Sequence, residues 1–439
     1  NKKSHSPSDP VKHNMLHKIC LLTSVLAISN ALNVAFYNTN QERNMLESVN
    51  DISGNSPPAQ QTAQIEELKR ESSELALDVL CLSNLYTAKQ LDSYRESLSE
   101  LYPYSFSQLD VKPESDFETP RTPCTAFDYL RFESGGECTQ EQWLKCDEVL
   151  RAEGTNVLDA QICLAEECPL NMEQVQYSEC KACLNIFTEA NNWDPDAAGQ
   201  AVGLAMYACS MPQDRVMNFT DGVMILSKHE IKWSMSMPLP SFIFHEQRLN
   251  MVQVGVDDND VLVSCLSMNP TTYKDNERSY VAVSEQQRNG GISSHVELNQ
   301  LQIEEMMKHI NYDYVDAEAG KTKILMGDLG VGETWNVDNF YEITYEGFDS
   351  YGEGACTFCV DQEQDDGTYN ALAAEPQSLF DSESSKDLDH ILLNDASDRY
   401  TVQGYSRFMS ATYQAENGEQ LPYSSRWGVV MQLTENEEA

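Results

Sequence analysis

Five short apolar stretches, spread along the whole chain, limit the folds open to this sequence more than any other feature. The first four combine aliphatic and β-branched residues with small or polar residues at or near their ends, and the fifth carries its polar residues before its apolar ones. Such runs are typical of buried β-strands. One such stretch indicates a single strand only, so the information lies in their order. The stretches are residues 32–40 (LNVAFYNTN), 77–86 (LDVLCLSNLY), 222–229 (GVMILSKH), 324–330 (ILMGDLG) and 423–430 (YSSRWGVV).

Helical patterns lie between these stretches. Ile65, Leu68 and Leu75 recur at helical spacing on an otherwise polar segment between the first two. Residues 299–310 (NQLQIEEMMKHI) form an amphipathic pattern before the fourth, and the apolar side of that pattern carries Leu301, Met306, Met307 and Ile310. The sequence therefore predicts helices between its strands.

In order, the five stretches resemble the strand ends of the endonuclease/exonuclease/phosphatase superfamily, which includes deoxyribonuclease I-like nucleases, inositol phosphatases and neutral sphingomyelinases. Residues 387–393 (DLDHILL) resemble the Asp-x-Ile strand of the same superfamily. The resemblance covers residues 32–120 and 213–435. It implies an α/β four-layer sandwich, in which two packed mixed β-sheets are flanked by helices. In active members these strand ends assemble a metal-dependent phosphodiesterase site.

Three site positions keep the residue that the resemblance implies. Asn38 matches the Asn at the end of the first strand, Asp328 matches the Asp of a Gly-Asp-x-Asn motif, and Asp389 matches the Asp of the Asp-x-Ile strand. The resemblance thus implies that two carboxylates and one amide of the original site remain.

Five other site positions are substituted. Asn84 replaces a metal-binding Glu, Ser267 replaces a His, Gly330 replaces the Asn of the Gly-Asp-x-Asn motif, and Ser425 and Arg426 replace the closing Asp-His. Mg²⁺ is held mainly by carboxylate oxygens, so the amide of Asn84 is a weak substitute. Arginine stays protonated at physiological pH and cannot act as the general base. Since acid–base help alone is worth ~10² to 10⁴-fold in rate, we expect these losses to remove several decades of activity.

Two functions follow from this pattern. The first is a pseudoenzyme that needs no metal and acts as a binding or structural module for an unknown ligand or protein. The alternative is a Mg²⁺-dependent phosphodiesterase or sphingomyelinase-like hydrolase with a rearranged site. A substitute base would then be required, and the best candidate is His295 with Glu297 in an expected loop, because His390 follows Asp389 in a strand and points to the opposite face.

Arg426 carries a further prediction. A buried carboxylate without a counter-charge is costly, so the resemblance places Arg426 close enough to Asp328 to form an ion pair where the metal would otherwise lie.

Cysteine usage predicts a second architectural unit. Residues 121–212 hold eight of the thirteen cysteines in segments with helical composition, and we expect a helical, disulfide-rich insertion there. Cys81 and Cys265 lie in strands and are expected to be buried free thiols. Zinc at the two Cys-x-x-Cys pairs is the alternative to disulfides. The cysteines expected in disulfides are Cys124, Cys138, Cys146, Cys163, Cys168, Cys180, Cys183, Cys209, Cys356 and Cys359.

The first residues predict export. Residues 15–31 combine a basic start, an apolar run and small terminal residues, as in a secretory signal peptide, and we expect residues 1–14 to be translated leader upstream of it. Asn218 heads the one permitted Asn-x-Ser/Thr sequon and is a candidate glycosylation site. Beyond this segment no apolar run reaches the ~18 residues that a membrane span requires. We therefore expect a secreted protein.

Charge restricts the partners. The chain holds 29 basic and 70 acidic residues, for a formal charge of −41. Proteins that grip nucleic acid need cationic contacts to phosphates, and no window of this sequence provides a basic patch. Nucleic acid and anionic membrane surfaces are therefore poor partners, and the acidity favours solubility.

Overall fold

The computed structural model describes residues 31–39, 59–85, 88–111, 145, 222–240, 247–256, 259–268, 294–311, 322–353, 355–359, 385–414, 418, 420–424 and 426–436. The helices are α1 Ala59–Glu74, α2 Ala88–Leu98, α3 His295–Ile310 and α4 Val337–Tyr345, with a 3₁₀ turn at Gln108–Asp110. The strands are β1 Ala31–Asn38, β2 Val79–Ser83, β3 Tyr104–Ser107, β4 Met224–Ser227, β5 Ile231–Pro238, β6 Arg248–Val256, β7 Asn259–Ser267, β8 Thr322–Asp328, β9 Asp349–Ser350, β10 Asp389–Asp395, β11 Tyr400–Phe408, β12 Thr412–Gln414, β13 Gln420–Pro422 and β14 Gly428–Glu435.

Twelve of these strands form two six-stranded sheets. The first sheet has the order β11-β14-β1-β2-β4-β3, the second has the order β5-β6-β7-β8-β10-β9, and β12 and β13 form a separate hairpin. Each sheet is mixed, because β1 pairs with β2 and β7 pairs with β8 in parallel, whereas the neighbouring pairs are antiparallel.

The two sheets pack face to face and carry helices on their outer faces. Strand β1 is apolar throughout because both of its faces are buried. Val34 and Phe36 lie in the core between the sheets, whereas Ala35 and Tyr37 lie in the core beneath α1 and α2. Helices α3 and α4 cover the outer face of the second sheet. The α/β four-layer sandwich predicted from the sequence is therefore confirmed.

Helix α3 begins earlier than its apolar pattern suggests. Ser294 caps it, since its hydroxyl accepts a hydrogen bond from the Glu297 amide at 3.2 Å, and the helix starts at His295. The expectation that His295 and Glu297 lie in a loop is therefore wrong. On the predicted apolar side, Leu301 is only half-buried, whereas Ile303, two residues further along the helix, is buried in the core.

A disulfide joins the two sheets. Cys81 on β2 and Cys265 on β7 are bonded to each other, with their Cα atoms 6.0 Å apart, in the core between the sheets. The prediction of two buried free thiols is wrong, because both side chains point inward and the two strands face each other. Cys356 and Cys359 are also bonded to each other, with Cα atoms 5.5 Å apart. The prediction that both are in disulfides is therefore confirmed, and the structure adds their pairing.

Several sequence predictions lie outside the described residues. They concern the leader and signal peptide up to residue 30, the eight-cysteine insertion, Asn218 and Ser425. Strand β1 begins at Ala31, one residue before the expected start. Within the described part of the chain, no helix combines the length and the apolar content needed to cross a membrane.

Candidate functional site

The topology gathers the predicted site residues at one edge of the sandwich. Asn38 ends β1, Ser267 ends β7, and Asp328 ends β8, so these three lie at the carboxyl ends of their strands. Asp389 begins β10, which runs antiparallel to β8, and it pairs in register with Asp328. Arg426 precedes β14, which runs antiparallel to β1. Strand direction therefore brings these five side chains to the same edge.

Arg426 lies between two buried carboxylates. Its Nη2 atom is 3.3 Å from Asp328 Oδ2, and its Nη1 atom is 3.4 Å from Asp389 Oδ2. All three residues are at least nine-tenths buried. The predicted Arg426–Asp328 ion pair is thus confirmed, and Asp389 is a second partner that the sequence did not indicate.

Neutral side chains extend this cluster towards β2 and β7. Asn38 Nδ2 donates to Asp328 Oδ2 at 3.2 Å, and Asn84 Nδ2 donates to Asn38 Oδ1 at 2.8 Å. The Ser267 hydroxyl donates to Asn84 Oδ1 at 3.3 Å. The chain of hydrogen bonds holds Asn84 as a donor to a neighbouring amide, a role that a carboxylate cannot fill.

Backbone conformation provides a separate reason for Asn84, which replaces a Glu, and it is also compatible with Gly330. Asn84 has a φ of 59° and Gly330 has a φ of 65°, both in the left-handed region. Asparagine and glycine tolerate this region better than other residues do. The Gly330 amide donates to Asp328 Oδ1 at 3.1 Å, so this turn also orients the carboxylate.

The short loop at residues 356–359, which the sequence patterns did not indicate as part of the site, packs against Arg426 and Asp389. Arg426 lies over the Phe358 ring, with its guanidinium carbon 5.2 Å from the ring centroid. The Thr357 hydroxyl accepts hydrogen bonds from the amides of Leu388 and Asp389, both at 3.1 Å. The available signal was the Cys356-x-x-Cys359 spacing around these two residues, but spacing alone does not place the loop.

The cluster contains one fixed positive charge and two carboxyl groups. Burial raises the pKa of Asp389 to about 7; the Arg426 guanidinium opposes this rise and the Asp328 carboxylate adds to it. In addition, Asp389 Oδ1 has no hydrogen-bond partner among the described residues. A proton on Asp389 would leave one cation and one anion, and the cluster would then be neutral.

His390 lies on the other face of β10, as predicted. Its Nε2 atom is 2.8 Å from the Val331 carbonyl oxygen and 3.0 Å from the Asp387 carbonyl oxygen, and its ring packs on Phe340 with the centroids 4.9 Å apart. Burial lowers the pKa of His390. This imidazole is held by backbone carbonyls away from the cluster, and it does not serve as a base there.

The donor set at the cluster does not fit a Mg²⁺ ion. A guanidinium that keeps its charge lies within 3.4 Å of both carboxylates. The nearby Asn84 supplies an amide, and Gly330 supplies no side chain. Among the described residues, His, Cys, Asp and Glu side chains form no group of three or more that could hold a metal.

Comparisons with known proteins give a structural likeness at low identity. No protein-family model matches the chain, and no curated protein matches it in sequence. Sphingomyelinase C from Streptomyces griseocarneus is 13% identical, with a TM-score of 0.45 over 92% of this chain and 99% of that chain. Beta toxin from Staphylococcus aureus is 11% identical, with a TM-score of 0.46 over 91% and 99%. An endonuclease/exonuclease/phosphatase family protein from Bacteroides thetaiotaomicron is 12% identical, with a TM-score of 0.45 over 93% and 97%.

Proposed function

We propose that this protein is a secreted, catalytically inactive relative of the endonuclease/exonuclease/phosphatase superfamily, and that it acts as a binding or structural module. One observation carries the proposal. The Arg426 guanidinium lies between the carboxylates of Asp328 and Asp389, within 3.4 Å of each, where hydrolysis would require a metal and a base.

The chemistry of phosphodiester cleavage supports an inactive site. A hydrolase must activate water and must stabilise negative charge on the phosphoryl oxygens. Arg426 cannot accept a proton, and both of its carboxylate partners already compensate its charge. With both carboxylates ionised the cluster carries a net negative charge, which repels a phosphodiester. Neither requirement is met by the residues described at this edge.

Two features support export. The Cys81–Cys265 and Cys356–Cys359 disulfides fit an oxidising compartment, because cytosolic proteins rarely keep such bonds. The signal-like residues 15–31 agree with this compartment. Detection of the chain in the culture medium after expression with its own first residues would test export, and retention of the unprocessed chain inside the cell would contradict it.

The test of inactivity is a hydrolysis assay on the chain without residues 1–30. The substrates are duplex DNA, bis(p-nitrophenyl) phosphate and sphingomyelin vesicles, each with Mg²⁺ or Mn²⁺. We expect rates equal to those of Asp328→Ala, the matched control for contaminating nucleases and phosphatases. Metal-dependent turnover by the wild type that disappears in Asp328→Ala would overturn the proposal in favour of the alternative, a rearranged Mg²⁺-dependent hydrolase.

A metal titration separates the role of Arg426 from the loss of catalysis. Calorimetry with Mg²⁺ on the wild type should show no binding at the cluster. Arg426→Met removes the cation but keeps its volume, and we expect weak Mg²⁺ binding that Asp328→Asn abolishes. If the wild type itself binds Mg²⁺ and loses it on Asp328→Asn, the guanidinium does not block the site.

A further inference from the structure

The loop at Cys356–Cys359 (CTFC) is held to the cluster by several backbone hydrogen bonds. Besides the two amides that donate to the Thr357 hydroxyl, the Trp427 amide donates to the Thr357 carbonyl oxygen at 2.9 Å. Phe358 and Lys386 exchange backbone hydrogen bonds at 3.0 and 2.8 Å. The loop therefore fixes the residues that precede β10 and β14, and these residues bring Asp389 and Arg426 to the site.

The disulfide closes this loop directly beneath the cluster. Cys356 and Cys359 flank Thr357 and Phe358, and both sulfurs belong to a small buried group with Trp427. Opening the bond would free the two ends of a four-residue segment whose middle residues contact Asp389 and Arg426. The position of the loop thus couples the state of the disulfide to the geometry of the cluster.

A cation lies beside one of the two sulfurs. Arg407 Nη2 is 3.4 Å from Cys356 Sγ, and Arg407 Nε donates to the Cys356 carbonyl oxygen at 3.0 Å. A guanidinium at this distance stabilises a thiolate and attracts an anionic thiolate nucleophile. The Cys-x-x-Cys spacing alone gave no support for a redox role, whereas this contact does.

The two described disulfides differ in accessibility and in loop length. Cys81 and Cys265 are both 0% exposed, and their bond closes a sequence separation of 184. Cys356 keeps 8% of its surface exposed and Cys359 keeps 1%, and their bond spans a separation of 3. A short loop loses little entropy in the unfolded chain when it is closed, so its disulfide adds less to stability. The rate of exchange also depends on access, and Cys356 is the most exposed of these four cysteines.

We propose that Cys356–Cys359 is a thiol–disulfide exchange site for dithiol reductants, and that its reduction releases the Arg426–Asp328–Asp389 cluster from the loop. One thiolate of the dithiol attacks Cys356 Sγ, the bond to Cys359 breaks, and Cys359 leaves as a thiolate that takes up a proton. The second thiol of the reductant, as its thiolate, attacks the reductant's own sulfur in the mixed disulfide and expels Cys356 as a thiolate beside Arg407. The protein gains two electrons, and the dithiol loses two electrons as it closes its own disulfide.

The first experiment measures which bond reacts. The native chain is treated with increasing dithiothreitol, alkylated and mapped by peptide mass spectrometry. We expect Cys356 and Cys359 to be labelled ~10-fold faster or more than Cys81 and Cys265, because exchange rates depend on access. Equal rates, or earlier labelling of Cys81 and Cys265, would overturn the proposal.

The role of the cation is tested by substitution. Arg407→Gln should slow reduction of Cys356–Cys359 by ~3-fold or more, since a neighbouring cation favours the thiolate. The matched control is Lys232→Gln, which removes an exposed cation paired with Asp260 on other strands and should leave the rate unchanged. An unchanged rate in Arg407→Gln would show that the Arg407 guanidinium does not promote the exchange.

Hydrogen exchange at three backbone amides measures whether reduction of Cys356–Cys359 loosens the cluster. After selective reduction, hydrogen exchange should accelerate at Leu388, Asp389 and Trp427, which donate to Thr357, but not at Lys228, whose amide donates to the Asp78 carbonyl oxygen at 2.9 Å. The double variant C356S/C359S keeps the Cys81–Cys265 disulfide and should show the same pattern. If this variant does not fold, the reduced wild type decides, and unchanged protection at the three amides would refute the coupling.

Discussion

Arg426 acts through charge, size and position together. Its guanidinium bridges Asp328 and Asp389 and lies over the Phe358 ring. Without this cation, the two carboxylates would face each other as like charges. A histidine at this position would be shorter and would carry its charge only when protonated. The substitution that removes a general base therefore also supplies an internal counter-ion.

Removing the cation should be strongly destabilising. We expect Arg426→Met to lower the free energy of unfolding by ~3–5 kcal/mol, because it leaves two buried carboxylates without a counter-ion. Asp328→Asn should cost less, because Arg426 keeps Asp389 as a partner. The double variant should lose less than the sum of the two. Urea denaturation measures all three. The control cycle uses Lys232 and Asp260, an exposed pair at 2.6 Å, where a coupling of ~0–1 kcal/mol is expected. Additive losses at Arg426 and Asp328 would show that the contact does not couple them.

The raised pKa of Asp389 gives a pH dependence with a definite sign. A carboxyl whose pKa is about 7 when folded, against about 3.9 in the unfolded chain, binds its proton more tightly in the native state. Its stabilising contribution is thus complete below about pH 4 and is lost as the pH rises through about 7. Asp389→Asn mimics the protonated form, so it should match the wild type at about pH 4 and exceed its stability at about pH 8. A gap that shrinks as the pH rises would contradict the assignment.

Some residue contacts of the site could be predicted from the sequence. The Arg426–Asp328 pair followed from two motif positions that the resemblance placed together. The contact with Asp389 and the support from Thr357 and Phe358 did not follow, because they depend on backbone hydrogen bonds of an irregular loop. Side-chain patterns carry no signal for such bonds.

Among the secondary-structure elements, β2 and β7 are joined by a disulfide. They belong to different sheets, and Cys81 and Cys265 link them through the core. Strand alternation in the sequence points each cysteine inward, but it does not determine which strands of the two sheets face each other. The same limit applies to α3, whose start was misjudged because a polar cap, not an apolar residue, defines it.

Removing the bond between the sheets should be costly. In the chain-entropy model a loop with a separation of 184 contributes about 5 kcal/mol, somewhat above the usual 2–4 kcal/mol range. We expect C81A/C265A to unfold at markedly lower denaturant concentration than the wild type. C356S/C359S is the matched comparison, and its loss should be smaller because its loop is short. A smaller loss for C81A/C265A than for C356S/C359S would contradict this ranking.

The whole molecule is dominated by negative charge. With a formal charge of −41 over 439 residues, carboxylates repel one another across the surface, and the native state concentrates them more than the unfolded chain does. The described exposed ion pairs, such as Arg70–Glu74 and Lys308–Glu305, are of a kind that contributes little. Net repulsion should therefore outweigh local attraction.

Added salt should consequently stabilise the fold. Sodium chloride screens exposed charges beyond a Debye length of about 10 Å at 0.1 M and about 3 Å at 1 M. We expect Tm to rise by a few degrees between these concentrations, since 1 kcal/mol shifts Tm by about 2–4 °C in domains of 150–250 residues. Differential scanning calorimetry provides the measurement. A fall in Tm would mean that attractive pairs prevail over repulsion.

Trp427 packs against the Cys356–Cys359 disulfide, and this contact should affect the fluorescence of the protein. A disulfide beside an excited indole accepts an electron from it and quenches its fluorescence. Emission from Trp427 should therefore be weak while the bond is intact and should brighten when the bond is reduced. Trp427→Phe should abolish the increase, and brightening that persists in this variant would assign it to another tryptophan. The loop thus carries its own optical indicator, which needs no attached dye.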